Sequence, residues 1–243
     1  MKIAACQTPE FIGDINASLS CIESFSIDVE KHNIDLLLFP ECFLQGYLVN
    51  DEHLEQYALD LTSSEFKVIM KRLSDIKMTL IFGVIERSEG KFYNSAVVLK
   101  NGTLLGVYRK KHLLGGEALF EPGLTSPVFE LKGIKYGINI CSDTQFPDSA
   151  KAIAEQGASV MLVPAQNMMK QEAAEVWKYK HNEIRAERAK ENHMWVISAD
   201  VTGRRDELRI GYGPTAVINP EGEVVAQVPL METGVVVAEI LDF

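Results

Sequence analysis

The stretch MTLIFGVIERSEGKFYNSAVVLKNGTLLGVYRK, residues 78–110, decides the fold. Its apolar residues fall into three runs, 78–86, 91–99 and 103–108, each rich in β-branched and aromatic side chains and each reading as a strand. Ser88-Glu-Gly90 and Asn101-Gly102 separate them, and Asn-Gly is a strong hairpin signal because both of its positions tolerate positive φ. Outward from this meander the pattern changes. Before it come a strand over 2–7, a helix over 16–31 entered near Asp14 with Ile15, Leu19, Ile22 and Ile27 toward the core, and a strand over 34–39. Two helices, 51–59 and 63–75, follow, the second capped by Ser63 or Ser64. Beyond it, 128–131 and 135–140 form a hairpin across Lys132-Gly133, and 148–156, 160–163, 172–191 and 195–200 alternate helix and strand. Strand candidates at 215–218, 223–227 and 235–240 close the chain. Hairpins mixed with βα units predict an α/β protein with two mixed β-sheets packed face to face between helical layers, and disfavour one doubly wound sheet.

The 243 residues suit one large domain, 1–243. With 47% hydrophobic and 24% charged residues the composition is that of a globular protein. A formal charge of -10 argues against general nucleic-acid binding, which needs clustered Lys and Arg to neutralise phosphates. The short basic run Arg109-Lys-Lys-His112 reads as a loop. Cys6, Cys21, Cys42 and Cys141 form no CxxC pair and no His clusters at metal-ligand spacing, so neither a metal site nor a cofactor is expected. Free thiols point to a reducing compartment, and the apolar runs fall short of the roughly 20 residues of a membrane span. A cytoplasmic location is expected, with no membrane partner.

Three strand ends carry chemistry. Cys141 ends the apolar run of 135–140 and is followed by Ser142-Asp143 and then Phe146-Pro147, which restarts a helix. A thiol so placed lies at the carboxyl end of a strand, where ligand-handling residues gather, and near backbone N–H groups able to stabilise a thiolate or an oxyanion. Glu41 closes the run 34–40, and partial desolvation there would suit a general base. Lys110 and Lys111 end the third strand of the meander. Strand alternation sends them to opposite faces, so one alone can enter a site, and chemistry does not choose between them. Arg109 and His112 read as structural, and His32, His53, His181 and His193 as ordinary surface or satisfied histidines.

At these residues the chain resembles the nitrilase superfamily, the carbon-nitrogen hydrolases. The resemblance rests on Phe39-Pro-Glu-Cys-Phe-Leu-Gln-Gly-Tyr47, Tyr108-Arg-Lys-Lys-His-Leu113, residues 136–147 with Cys141-Ser-Asp143, Val163-Pro-Ala165, Arg188-Ala-Lys-Glu-Asn192 and Asn219-Pro-Glu-Gly222. It implies a four-layer α-β-β-α sandwich, commonly dimerising through helices near the cysteine. The family pattern sets its lysine directly after Arg, which selects Lys110. It implies Glu41 as general base, Lys110 as oxyanion-side electrostatic group, Cys141 as nucleophile, and Glu117, with Glu121 the alternative, as a second glutamate. Ser142 would contribute a backbone N–H to the oxyanion. Lys-His-Leu after the lysine and Ser142-Asp143 after the cysteine are similar to the amidase and carbamoylase branches, so hydrolysis of a small amide or N-carbamoyl compound is expected ahead of nitrile hydrolysis. Tyr47 and residues 166–170 would shape the pocket, and Arg204, Arg205 and Arg209, in the loop before Gly211-Tyr-Gly213, would be candidates to meet a carboxylate of the substrate. A catalytically silent binding protein, or a glutamine-amide module feeding ammonia to a separate synthetase chain, are the competing readings.

Overall fold

Alternate residues of the first strand, Lys2–Thr8 (β1), enter different apolar clusters: Ile3 and Ala5 on one face, Ala4 and Cys6 on the other. A strand buried on both faces lies inside a layered structure. The computed structural model describes residues 1–241; Asp242 and Phe243, the end of the expected domain, lie outside the described residues. After β1 come Ile15–Glu30 (α1), Leu36–Leu38 (β2), Asp51–Tyr57 (α2) and Ser64–Arg72 (α3). Each helix opens on a side chain that accepts an otherwise unpaired N–H: Asp14 from Ala17, Asn50 from His53 and Ser63 from Phe66. Ile27 is not a core residue. Leu19, Ile22, Ser26 and Val29 are buried on α1, and Ile27, five residues past Ile22, is turned 140° away and is exposed.

The meander forms Thr79–Ser88 (β3), Lys91–Lys100 (β4) and Thr103–Arg109 (β5), with Asn101 and Gly102 at φ 47° and 70° in the second turn. Val128–Leu131 (β6) and Ile134–Ile138 (β7) make the next hairpin, and Pro147–Ala154 (α4), Val160–Pro164 (β8), Met169–Lys170 (β9) and Gln171–Asn192 (α5) follow. The chain then runs through Trp195–Arg204 (β10), Arg209–Tyr212 (β11), Ala216–Ile218 (β12), Val224–Gln227 (β13) and Gly234–Glu239 (β14). The arginine region expected to be a loop is instead a hairpin, β10 paired with β11 from Thr202↔Tyr212 to Arg204↔Ile210, with the short β9 on its far side.

Two mixed sheets result. One runs β5-β4-β3-β2-β1-β14, with β1, β2 and β3 parallel; the other runs β13-β12-β10-β8-β7-β6, with β10, β8 and β7 parallel. They pack face to face over Leu36, Leu38, Ile81 and Val98 from one side and Tyr136, Ile138, Leu162 and Ile197 from the other. α1 and α3 cover the outer face of the first sheet through Leu19, Ile22, Phe66 and Ile69, and α4 and α5 cover the second through Ala150, Ile153 and Ala189. This is the four-layer α-β-β-α sandwich. At one corner the layers are stitched together, because the carboxyl ends of β1 and β10 pair in parallel at Gln7↔Asp200 and Thr8↔Val201. Carboxyl ends of strands from both sheets therefore converge there.

Candidate active site

Glu41 sits in a turn clamped by backbone on both sides. Gly83 N–H donates to Pro40 O at 2.9 Å, Leu44 N–H to Gly83 O at 3.0 Å and Glu41 N–H to Ala165 O at 3.3 Å, and Cys42 adopts φ 46°. Gly83 permits this approach: a Cβ there would lie 2.1 Å from Cys42 N and 2.6 Å from the Glu41 carbonyl carbon. Lys110 leaves β5 with its N–H on Asn94 O (2.8 Å) and its carbonyl accepting from Gly123 N–H (2.7 Å).

These two backbone anchors bring together a buried charged cluster. Lys110 Nζ donates to Glu41 Oε1 at 2.7 Å and to Glu117 Oε1 at 2.9 Å, and all three side chains are at most 1% exposed. Asn94 Nδ2 donates to the same two oxygens, at 2.7 and 3.1 Å. Glu117 Oε2 accepts from Leu114 N–H at 2.7 Å. Burial pushes the Glu41 carboxyl up from its ordinary range, with Lys110 opposing and Glu117 adding to the rise. Burial works against the Lys110 ammonium, but Glu41, Cys141 and Glu117 together hold its pKa above the ordinary lysine range. The ammonium therefore stays charged. Lys111 points the other way, its Nζ 3.5 Å from Ser126 Oγ, and Glu121 is on the surface beside Lys91.

Cys141 departs from the strand at φ 44°, a left-handed conformation that L-residues adopt at a cost, and begins the 3-10 turn Cys141–Gln145. Its Sγ is 3.6 Å from Asn167 Oδ1. Burial pushes the thiol pKa well up, the Glu41 charge adds to this, and Lys110 and the Gln166 N–H oppose it. A thiolate-like resting cysteine, as the nearby helix start suggested, is thus not what this site holds; the thiol keeps its proton. Asp143 ties the cysteine turn to the lysine strand. Its Oδ2 accepts from Tyr108 OH (2.6 Å) and Ile140 N–H (2.9 Å), its Oδ1 from Lys111 N–H (3.2 Å) and His112 N–H (2.8 Å). Ser142 is buried with Oγ donating to His112 O at 2.7 Å. The His112 ring stacks on Phe146 at 3.9 Å, and Arg109 pairs with Glu86.

The thiol opens onto a cavity of about 270 Å³ whose walls include Gln166, Asn167, Trp177, His181 and Arg185. Trp177, His181 and Arg185 come from α5, and the histidine reading above missed one of them. His181 is half-buried: its ring is 5.4 Å from Trp177, and burial, reinforced by Arg185, pushes its pKa down to about 3. Its spacing on α5, four residues before Arg185 and four after Trp177, was the available signal. His53 is also buried, with Nε2 3.2 Å from Gly46 O. Tyr47 lies in an adjoining crevice with Glu41, Cys42 and Gln166, and burial followed by the Glu41 charge raises its hydroxyl pKa. Of the three arginines suggested for a substrate carboxylate, none lines this cavity: Arg205 pairs with Glu10 and donates to Tyr47 O, Arg204 reaches Gln171, and Arg209 reaches Asp206. Among the described residues no group of three or more His, Cys, Asp or Glu is disposed to hold a metal ion, and no helix is long and apolar enough to cross a membrane.

A four-layer sandwich with a thiol, an ammonium and carboxylates on converging strand ends defines a class of thiol-containing α-β-β-α hydrolases. The chain belongs to the carbon-nitrogen hydrolase family, whose model matches residues 2–241. It is 29% identical over 226 residues to an (R)-stereoselective amidase of a Pseudomonas species, covering 93% of this chain and 80% of that enzyme. It is 31% identical over 235 residues to the glutamine-dependent NAD(+) synthetase of Acinetobacter baylyi, covering 94% of this chain but only 42% of the synthetase. Among solved structures, a mutant of the Nesterenkonia AN1 amidase, from the nitrilase superfamily, superposes with a TM-score of 0.83 at 25% identity, over 99% of this chain and 90% of the amidase.

Proposed function

We propose that this protein hydrolyses the C–N bond of a small amide through a thioester on Cys141. The observation that carries the reading is the Lys110 ammonium fixed between Glu41 and Glu117, beside a thiol whose left-handed backbone turns it out of the strand. Because the thiol is protonated at rest, the proton must leave as the C–S bond forms, and Glu41 is the base that takes it. Lys110 and the Ser142 backbone N–H hold the oxyanion, and Glu117, with Asn94, fixes Lys110 in that position. Glu41 then passes its proton to the leaving nitrogen, and ammonia or an amine departs. Water, deprotonated by Glu41, attacks the thioester and releases the carboxylic acid and the thiol.

The test is ammonia or amine release by wild type and Cys141→Ala across small amides, N-carbamoyl compounds, nitriles and glutamine. Release abolished in a folded Cys141→Ala variant is expected, and undiminished turnover by that variant, or silence of the wild type on every compound, overturns the mechanism. The 31% identity to a glutamine-dependent synthetase, 42% of whose length is covered, favours one second reading, an ammonia-supplying module, for which glutamine would be the preferred substrate. Residues 1–243 are read as one catalytic domain working in the cytoplasm. A homodimer is supported by Val176 and Tyr179, two large side chains exposed on α5 close to the cavity, and sedimentation of the purified protein decides it.

A further inference from the structure

Arg185 is 2% exposed and yet lines the cavity into which Cys141 opens. Its Nη1 donates to Ser198 Oγ at 3.0 Å, to Pro214 O at 2.9 Å and, less closely, to Asn182 Oδ1 at 3.3 Å. All of these acceptors are neutral. The one carboxylate near it, Asp200, has Oδ2 3.6 Å from Arg185 Nη2, longer than a hydrogen bond. Asp200 is moreover served by other donors: Oδ1 accepts from Asn167 N–H at 3.0 Å and Val201 N–H at 2.9 Å, and Oδ2 accepts from Asn167 Nδ2. A guanidinium presents donors on two edges, and here only Nη1 meets acceptors at hydrogen-bond distance among the described residues. Asp200 is therefore its ion-pair partner at 3.6 Å, but it leaves the guanidinium without a directly hydrogen-bonded counter-charge, a costly burial unless something else supplies one.

The surroundings say what that something is. No carboxylate side chain lines the cavity, and the other polar walls, Thr144, Gln145, Gln166, Asn167 and His181, are uncharged, His181 because its pKa is about 3. A cationic arm would find no partner there and would meet Arg185, whereas an anionic arm would gain a charge-assisted, two-point contact. Building on the amide-hydrolase reading, we infer that Arg185 is the anchor of a carboxylate subsite, and that the substrates are short amides carrying a free carboxylate. The cavity's size, about 270 Å³, keeps the spacer between the scissile carbonyl at Cys141 and that carboxylate to a few atoms.

The first measurement is made on the wild type: kcat/KM for the monoamide of succinic acid and for N-carbamoylglycine, each against its methyl ester. A preference for the free acid on the order of 10- to 100-fold is expected, the range of a charge-assisted hydrogen bond. Which of the two acids is cleaved separates dicarboxylate monoamides from carbamoyl amino acids. Arg185→Gln should raise KM for the preferred acid at least tenfold more than for its ester. Equal cleavage of acid and ester by wild type overturns the subsite while leaving the amide-hydrolase reading standing. If no amide is turned over, that reading fails and the subsite is judged without turnover, from the rates at which iodoacetate and iodoacetamide alkylate Cys141. A ratio raised about tenfold in favour of iodoacetate over that of free cysteine in the same buffer supports the subsite, and a ratio equal to or below that of free cysteine overturns it.

Discussion

Acidification should cost this protein stability through His181, and the size of the loss can be worked out. The imidazole is neutral in the folded chain because burial, helped by Arg185, pushes its pKa down to about 3, whereas an unfolded histidine titrates at about 6.5. Between those values the unfolded chain binds a proton that the folded chain refuses, so stability falls as pH falls through that window and is fully retained above it. At pH 5 the unfolded imidazole lies ~1.5 units below its pKa and the folded one is still neutral. The penalty is therefore ~1.5 × 1.36, or about 2 kcal/mol. Any folded pKa below ~4 leaves this figure unchanged, because the folded ring is then neutral at pH 5 in every case. His181→Gln keeps a polar side chain and removes the titration. Urea unfolding of wild type and variant at pH 7.5 and pH 5.0 isolates the effect, since the shifts of all other groups are common to both proteins and cancel. The wild type should lose about 2 kcal/mol more than the variant between the two pH values. Equal losses, within ~0.5 kcal/mol, would refute the argument that this ring is held neutral against Arg185.

Lys110→Ala should lower kcat by ~10²-fold or more and cost about 3–5 kcal/mol of stability, because it leaves Glu41 and Glu117 facing each other without a cation; a rate within tenfold of wild type would show that the ammonium does not stabilise the reaction. Gly83→Ala should lower both Tm and activity, since its Cβ would meet only backbone, 2.1 Å from Cys42 N, and the Glu41 turn would have to move; a wild-type Tm with full turnover refutes that. Alkylation of Cys141 in the free protein should accelerate with pH through pH 9 without levelling off, because burial holds the thiol above its ordinary range. A plateau near pH 7 would reveal a resting thiolate.

What the sequence made legible, and what it hid, divides along one physical line. Positions that follow from where an apolar run stops were visible: Glu41 after β2, Lys110 after β5 and Cys141 after β7 each come after the end of a strand, and the Asn101-Gly102 turn set the direction of the meander. Ile27 misled because an apolar residue was assigned to the core by type, when its angle around α1 put it in water. The β10–β11 hairpin was missed because it is a polar ribbon, built over Arg204 and Arg209, whose residues carry little of the apolar alternation by which strands are read. α5 hid the most. The residues it buries are Ala174, Arg185, Arg188 and Ala189, a stripe too small and too charged to register as amphipathic, so the helix over 172–191 was legible but its buried face was not. Its inward arginine is tolerable only because Ser198 and Pro214, on other elements, accept its hydrogen bonds and Asp200 stands nearby. Such a partnership is a property of the folded neighbourhood, distributed over residues 185–214, with no local spacing to announce it. The groups proposed to be catalytic sit where strands end and can be read along the chain; the arginine proposed to select the substrate is held by pairings across it, and these become visible only when the sheets are stacked.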